Sequence, residues 1–298
     1  MTKAGFAITK YPDSVEIYRK LDLLLSQPIL PLKPQALDKY LKWFDKKCPK
    51  SKELINQAKE VIPGGVQHNL AFNYPFPLVF NKAEGAYLED IDGNRYIDFL
   101  QAGGPTVLGS NPRVVRNKVL DLLNTCGPST GLFHEYEYKL AEFICSRVPA
   151  VDKYRALGSG TEAVMAAIRV ARLATKKKKI IKIGGAYHGW SDQVVYGMRI
   201  PGTGRFEAHG IPRACTAHTQ EVRPNNLNAL ERKLKFNKIR GGTAAVILEP
   251  VGPESGTRPM PYDYNKNVRD LCDKYGALLI FDEVVTAFRI GISGAQGY

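Results

Sequence analysis

The sequence predicts an α/β protein built on a mainly parallel, doubly wound sheet. Four short runs, Tyr154–Leu157, Ile180–Ile183, Ala244–Leu248 and Ala277–Phe281, are largely apolar without alternation, as strands buried on both faces are. Segments with helical periodicity lie between them, the strand–helix rhythm of crossover connections. Each run also leads directly into glycines, acids or aromatics, and an open parallel sheet binds its ligands at the carboxyl ends of its strands.

In chain order, residues 1–60 read as a helical lead-in. It is broken by Pro12, Pro28, Pro31 and Pro34, with amphipathic stretches around 14–26 and 35–46, and Pro63-Gly64-Gly65 closes it. Residues 84–100 read as two short strands around Asp92-Gly93-Asn94, a hairpin turn signal. A helix follows Asn111-Pro112 with Val115, Val119 and Leu122 on one face, and another covers 135–147. From about residue 154 the strand–loop–helix pattern takes over. Residues 162–174 place Val164, Ala167, Ile168 and Ala171 on one stripe, and 264–275 end at Gly276, a suitable C′ glycine. The expected division is a lead-in over 1–60, a small segment with a β-hairpin over 61–110, and a large domain over 111–298.

The chain has 298 residues, with 42 Lys+Arg against 29 Asp+Glu, a formal net charge of +13. At 44% hydrophobic and 24% charged, the composition is globular rather than disordered. No apolar run is long enough to cross a bilayer, and Met1–Lys10 has no sustained apolar stretch, so no secretory signal is expected. Five scattered cysteines without a CxxC or a Cys/His cluster favour neither a disulfide framework nor a metal site, and fit a reducing, cytoplasmic compartment. The positive charge is spread along the chain. Its one dense run, Lys176-Lys177-Lys178-Lys179, reads as a solvated turn, so neither nucleic acid nor membrane is an expected partner.

The candidate chemistry sits at the ends of the four runs. Gly158-Ser159-Gly160-Thr161-Glu162 opens into a helix, either as an ordinary capped turn or as a seat for a phosphate against the positive end of the helix. Gly184-Gly185-Ala186-Tyr187-His188-Gly189-Trp190 sets an aromatic and an imidazole between glycines, which suits a flat stacked ligand or a satisfied structural histidine. Glu249-Pro250 and Glu254 follow the third run, as acid and base, as partners of a cationic ligand, or as a solvated loop. The fourth run ends in Asp282-Glu283-Val284, a carboxylate that must be paired or reach a ligand. It reads as the acidic strand end of a nucleotide-hydrolysing enzyme or as the partner of a cationic ring nitrogen. The first reading lacks the Walker A loop it requires.

Together these stretches, with Leu248-Glu249-Pro250-Val251 and Phe281-Asp282-Glu283-Val284 among them, resemble the signature segments of class III aminotransferases, nearest the glutamate-1-semialdehyde aminomutase branch. Pro63-Gly64-Gly65-Val66, Gly85-Ala86-Tyr87-Leu88 with Asp92-Gly93, and Phe288-Arg289 followed by Gly294-Ala295-Gln296 support that placement, and the similarity runs from about residue 53 to 298. The resemblance implies the type I pyridoxal-phosphate fold, pyridoxal 5′-phosphate as cofactor, a homodimer, and transfer of an amino group between an amino acid or amine and a keto acid or aldehyde. It implies that Ser159, Gly160 and Thr161 hold the phosphate, that Tyr187 and Val284 flank the two ring faces, and that His188 shapes the pocket. Asp282 would pair with the ring nitrogen as the catalytic residue. Ser129, Thr130 and Gly131, with Glu249 and Glu254, would lie on the substrate side, and residues 190–213 would form a mobile loop over the entrance.

Three departures refine that expectation. The arginine that usually follows Pro-Gly-Gly-Val in the aminomutase branch is replaced by Gln67-His68-Asn69, and Glu254 stands where that branch tends to carry asparagine. Both shift the expected activity from intramolecular aminomutase chemistry towards an aminotransferase. The lysine that carries the cofactor in this family is expected shortly beyond Tyr298, so no residue of this chain is expected to take its role. A natural short form that binds cofactor or a partner without catalysis is the alternative.

Overall fold

The computed structural model describes residues 11–127 and 131–296. The elements are α1 (Ser14–Leu25), α2 (Pro34–Lys47), α3 (Pro49–Ala58), β1 (Phe80–Glu84), β2 (Tyr87–Asp90), β3 (Arg95–Ile97), α4 (Arg113–Thr125) and α5 (Glu135–Arg147). They continue with α6 (Gly160–Thr175), β4 (Lys179–Ile183), α7 (Arg213–Thr216), β5 (Thr219–Val222), α8 (Leu227–Lys238), β6 (Thr243–Leu248), α9 (Pro253–Gly256), α10 (Tyr264–Tyr275) and β7 (Leu278–Phe281). The chain divides into two compact units, Ser26–Leu132 and a second made of Met1–Leu25 with Phe133–Tyr298.

Within Ser26–Leu132, α2 and α3 each begin with a proline, whose fixed φ suits the first helical position. β1, β2 and β3 form a consecutive antiparallel sheet, with the expected hairpin joining β2 to β3 and β1 added in front of it. The hairpin closes on Asp90, a buried carboxylate that accepts from the Asn94 N–H at 2.8 Å, the Asp92 N–H at 3.0 Å and the Tyr96 hydroxyl at 2.8 Å. The helix expected after Pro112 forms as α4, yet Val115 and Val119 are exposed, so its apolar stripe is present without being buried.

The second unit is organised by a parallel sheet of order β5-β4-β6-β7. Alternate residues of its central strands enter different cores. Ile181, Ile183, Val246 and Leu248 pack with Leu230 and Leu234 of α8 and with Tyr264 and Val268 of α10. Ile180, Ala245 and Ile247 pack on the opposite face with Val164, Ile168 and Ala171 of α6. Both faces are therefore covered, which explains why these strands read as largely apolar runs without alternation. α10 ends where expected, on Gly276 in the left-handed region at φ +63°.

One expected strand does not form. Tyr154–Leu157 has no ladder, and Tyr154 and Leu157 are exposed. A short apolar run becomes a strand only when a neighbour pairs its N–H and C=O groups, and no described residue does so here. In its place, β5 supplies the fourth parallel strand.

Candidate active site

α6 is opened by Ser159, whose extended backbone (φ −157°) leads into the helix while its Oγ accepts from the Glu162 N–H at 3.2 Å. That cap leaves the first-turn N–H groups of Gly160 and Thr161 without intrahelical acceptors, at the positive end of a 16-residue helix. Two other segments close on this turn. Thr161 Oγ1 accepts from the Trp190 N–H at 3.2 Å, and a Cβ on Gly189 (φ +91°) would lie 2.5 Å from the same oxygen. A Cβ on Gly160 would lie 2.9 Å from Val284 Cγ2. The glycines are thus required by close approach, and they join the loop after β4 and the end of β7 to the start of α6.

At the centre, His188 Nδ1 lies 2.8 Å from Asp282 Oδ2, with both side chains buried. Asp282 is held by its own backbone: its N–H donates to the Leu248 carbonyl at 2.8 Å, extending the β6–β7 ladder, and its Oδ1 accepts from the Val284 N–H at 3.1 Å. Burial pushes the His188 pKa below the ordinary imidazole value, opposed by the hydrogen bond to Asp282. A neutral ring beside a carboxylate donates from Nδ1, so Nε2 presents a lone pair. That atom is buried and has no partner among the described residues.

Glu249, expected near the substrate side, is engaged by main-chain donors: Oε1 accepts from the Tyr187 N–H at 3.1 Å and the Glu254 N–H at 2.9 Å, while Oε2 accepts from the Ser255 N–H and hydroxyl. Burial raises its pKa against the pull of these donors. Glu254 and Ser255 both lie in the left-handed region, at φ +47° and +56°, so the carboxylate braces a strained turn and ties it to the Tyr187 backbone. The Glu254 side chain is exposed. Tyr187 and Val284 keep 46% and 69% of their surface exposed, leaving both free to flank a flat ligand. Ser129 and Thr130 lie outside the described residues, and Gly131 follows them at φ +79°. Within the loop over 190–213, Val195, Met198 and Ala208 form a small buried core.

The residue that sequence reasoning missed is Lys182. It is fully buried in β4, and its Nζ donates to the Ala186 carbonyl at 2.9 Å and the Val194 carbonyl at 3.0 Å. It thereby pins both flanks of the Tyr187-His188 stretch. Burial lowers its pKa to about 8, with Glu221, Glu249 and Glu207 opposing. The available signal was a lysine inside the otherwise apolar Ile180-Ile181-Lys182-Ile183. Among the described residues no group of three His, Cys, Asp or Glu side chains is placed to hold a metal ion.

A helix start opened by glycines, an aromatic–imidazole loop and a buried strand-end carboxylate, gathered at the carboxyl ends of a parallel sheet, define an α/β cofactor-binding protein. The class III aminotransferase family model matches residues 70–296, and the chain belongs to that family. It is 41% identical over 254 residues to a glutamate-1-semialdehyde 2,1-aminomutase of Lachnoclostridium phytofermentans, covering 84% of this chain and 59% of the relative. An aminomutase of the same description from Acetivibrio thermocellus is 43% identical over 255 residues, with coverage of 84% and 59%. Among solved structures, a β-phenylalanine aminotransferase from Variovorax paradoxus aligns with a TM-score of 0.74 at 28% identity, over 85% of this chain and 55% of that one. A glutamate-1-semialdehyde aminomutase from Pseudomonas aeruginosa aligns with a TM-score of 0.74 at 25% identity, over 87% and 57%. The fold is the type I fold of pyridoxal-phosphate enzymes. The chain spans about 59% of the length of the curated relatives it matches.

Proposed function

We propose that this protein takes part in pyridoxal-phosphate-dependent amino transfer between an amino acid or amine and a keto acid or aldehyde. The carrying observation is the buried His188–Asp282 pair, placed beside a helix start whose Gly160 and Thr161 N–H groups have no acceptor among the described residues. The residues fit the cofactor. Gly160, Thr161 and the Ser159 backbone suit a phosphate dianion, Tyr187 and Val284 flank a ring, and the unpartnered Nε2 of His188 marks polar capacity the protein leaves unused. Bound there, pyridoxal 5′-phosphate supplies an electron sink for negative charge developing beside the transferred nitrogen.

The chain's own contributions are positional and electrostatic. Asp282, with its backbone fixed by the β6–β7 ladder, holds a proton on the ring nitrogen and keeps the ring electron-poor. His188 donates to Asp282 and so fixes which carboxylate oxygen remains available. Lys182 and Glu249 hold the loop that carries Tyr187. The family reading includes a homodimer.

The aminomutase reading is favoured by the names of the relatives. Against it, His68 turns its Nδ1 to the Leu70 N–H at 3.1 Å, capping a short turn, and lacks the forked donor geometry that an arginine offers a substrate carboxylate. Pyridoxamine 5′-phosphate tests the cofactor site without Schiff-base formation at surface lysines. We expect saturable binding to the 298-residue chain, weakened about tenfold, or about 1.4 kcal/mol, in Asp282→Asn. Equal affinity in the two proteins would remove Asp282 from the site.

A further inference from the structure

A second concave site lies at the carboxyl end of the same sheet, on its other side. Arg223 directly follows Val222 at the end of edge strand β5. Ile200 and Pro201 come from the loop after β4, Arg258 from the loop after β6, and Tyr18 from α1. They line a cavity of about 520 Å³, the size of a small-molecule site, and Arg223 is shared with an adjoining cavity of about 260 Å³ that adds Lys233. By strand spacing the two edges of the sheet, β5 and β7, are about 14 Å apart, and Asp282 belongs to the far edge.

The two arginines, Arg223 and Arg258, have no ion-pair partner among the described residues, and neither guanidinium makes a hydrogen bond to one. Of the neighbouring carboxylates, Glu221 lines the adjoining cavity and accepts from the Gly202 N–H without an ion pair to either arginine, and Glu16, on α1, pairs with Arg19 at 2.6 Å and Lys20 at 3.5 Å. The Tyr18 hydroxyl is half-buried and hydrogen-bonded to the Asn225 side chain; its pKa is raised by that burial, against the nearby charge of Arg258 and the bond to Asn225. Ile200, Pro201 and Pro224 supply apolar walls. Forked cations without carboxylate partners, a phenolic donor and apolar walls in one concavity match a ligand with an anionic head and an apolar body.

We propose that this groove binds a small organic anion, a phosphate or carboxylate borne on an apolar group, at a site separate from the candidate active site. It stands independently of the cofactor reading.

The test is a titration of the 298-residue chain with phenyl phosphate, benzoate and phenol, followed by ligand-observed NMR or calorimetry. Phenyl phosphate or benzoate is expected to saturate while phenol does not, and the better binder of the two identifies the head group. Arg223→Gln, at an exposed position, and Arg258→Gln, at a half-buried one, should each raise the dissociation constant at least tenfold, and Tyr18→Phe should raise it by less. Phenol binding as tightly as the anions, affinity unchanged in both arginine variants, or no saturation with either anion would overturn the proposal.

Discussion

At His188 burial outweighs a charged contact in setting a protonation state, and the contact sets which nitrogen carries the proton. Desolvation disfavours the imidazolium, the Asp282 carboxylate favours it, and burial is the larger of the two. The ring therefore stays neutral with its proton on Nδ1. Because the folded pKa lies below the unfolded one, the stabilising contribution is present above the ordinary imidazole value and is lost as pH falls through the folded value. Imidazole ¹⁵N spectra should show an unprotonated Nε2 from neutral pH to below about 6.5; a doubly protonated ring at neutral pH would contradict this assignment. Gly189 makes a second residue-scale case. Its φ of +91° disfavours any side chain, and a Cβ would meet Thr161 Oγ1 at 2.5 Å and Thr161 Cα at 2.8 Å, neither of which moves without the helix start. Gly189→Ala should cost about 2 kcal/mol or more in urea unfolding, and should weaken pyridoxamine phosphate binding by displacing the first turn of α6.

At the scale of elements, legibility in the sequence followed composition more than burial. β4, β6 and β7 are mostly apolar, apart from Lys179 and Lys182 of β4, and that announced them, although only β4 and β6 are buried and β7 is an edge strand with no fully buried residue. β5 is an edge strand of Thr219-Gln220-Glu221-Val222, with two of its four residues only partly buried, and its polar composition hid it. Tyr154–Leu157 failed for the converse reason, since its composition suits a strand but no described partner supplies a ladder. The site motifs were readable because glycine, aromatic and acid cluster at strand ends, and the structure brings Gly160, Thr161, Gly189, His188, Asp282 and Val284 together. The roles of Glu249 and Lys182 were not readable, because both act by accepting from or donating to main-chain groups of other loops, and such contacts leave no periodicity. The α6 start gives an element-scale prediction. Ser159→Ala removes the oxygen that caps the Glu162 N–H and should destabilise the unit by about 1 kcal/mol, measurable as a shift in the urea midpoint. The Gly160 and Thr161 N–H groups would remain available to a phosphate.

For the molecule as a whole, the groups buried deepest set how stability varies with pH. Lys182 titrates at about 8 in the folded chain against an ordinary value of 10.5. Between those values the unfolded chain holds a proton that the folded one has released, so stability rises with pH across that window and the contribution is lost as pH falls through about 8. The full difference is on the order of 3 kcal/mol. Cys272, on the buried face of α10, has its thiol pushed from 9.0 up to about 12, and here the sign reverses. Its contribution is intact below 9.0 and is lost as pH rises towards about 12. The two slopes oppose each other above pH 9, and the Cys48 thiol and Tyr264 hydroxyl, both raised by burial from 9.0 and 10.0, add to the falling side, so stability should climb between pH 8 and 9, stop climbing, and turn down beyond about 10. Lys182→Met removes the rising limb and exposes the falling one. Its unfolding midpoint should be level from pH 7 to 9 and drop beyond, even though the unpaired Ala186 and Val194 carbonyls lower it at every pH. Urea midpoints measured every half pH unit from 7 to 10.5 in both proteins decide the matter, because a parallel pair of curves would mean that the Lys182 ammonium titrates as it does in water.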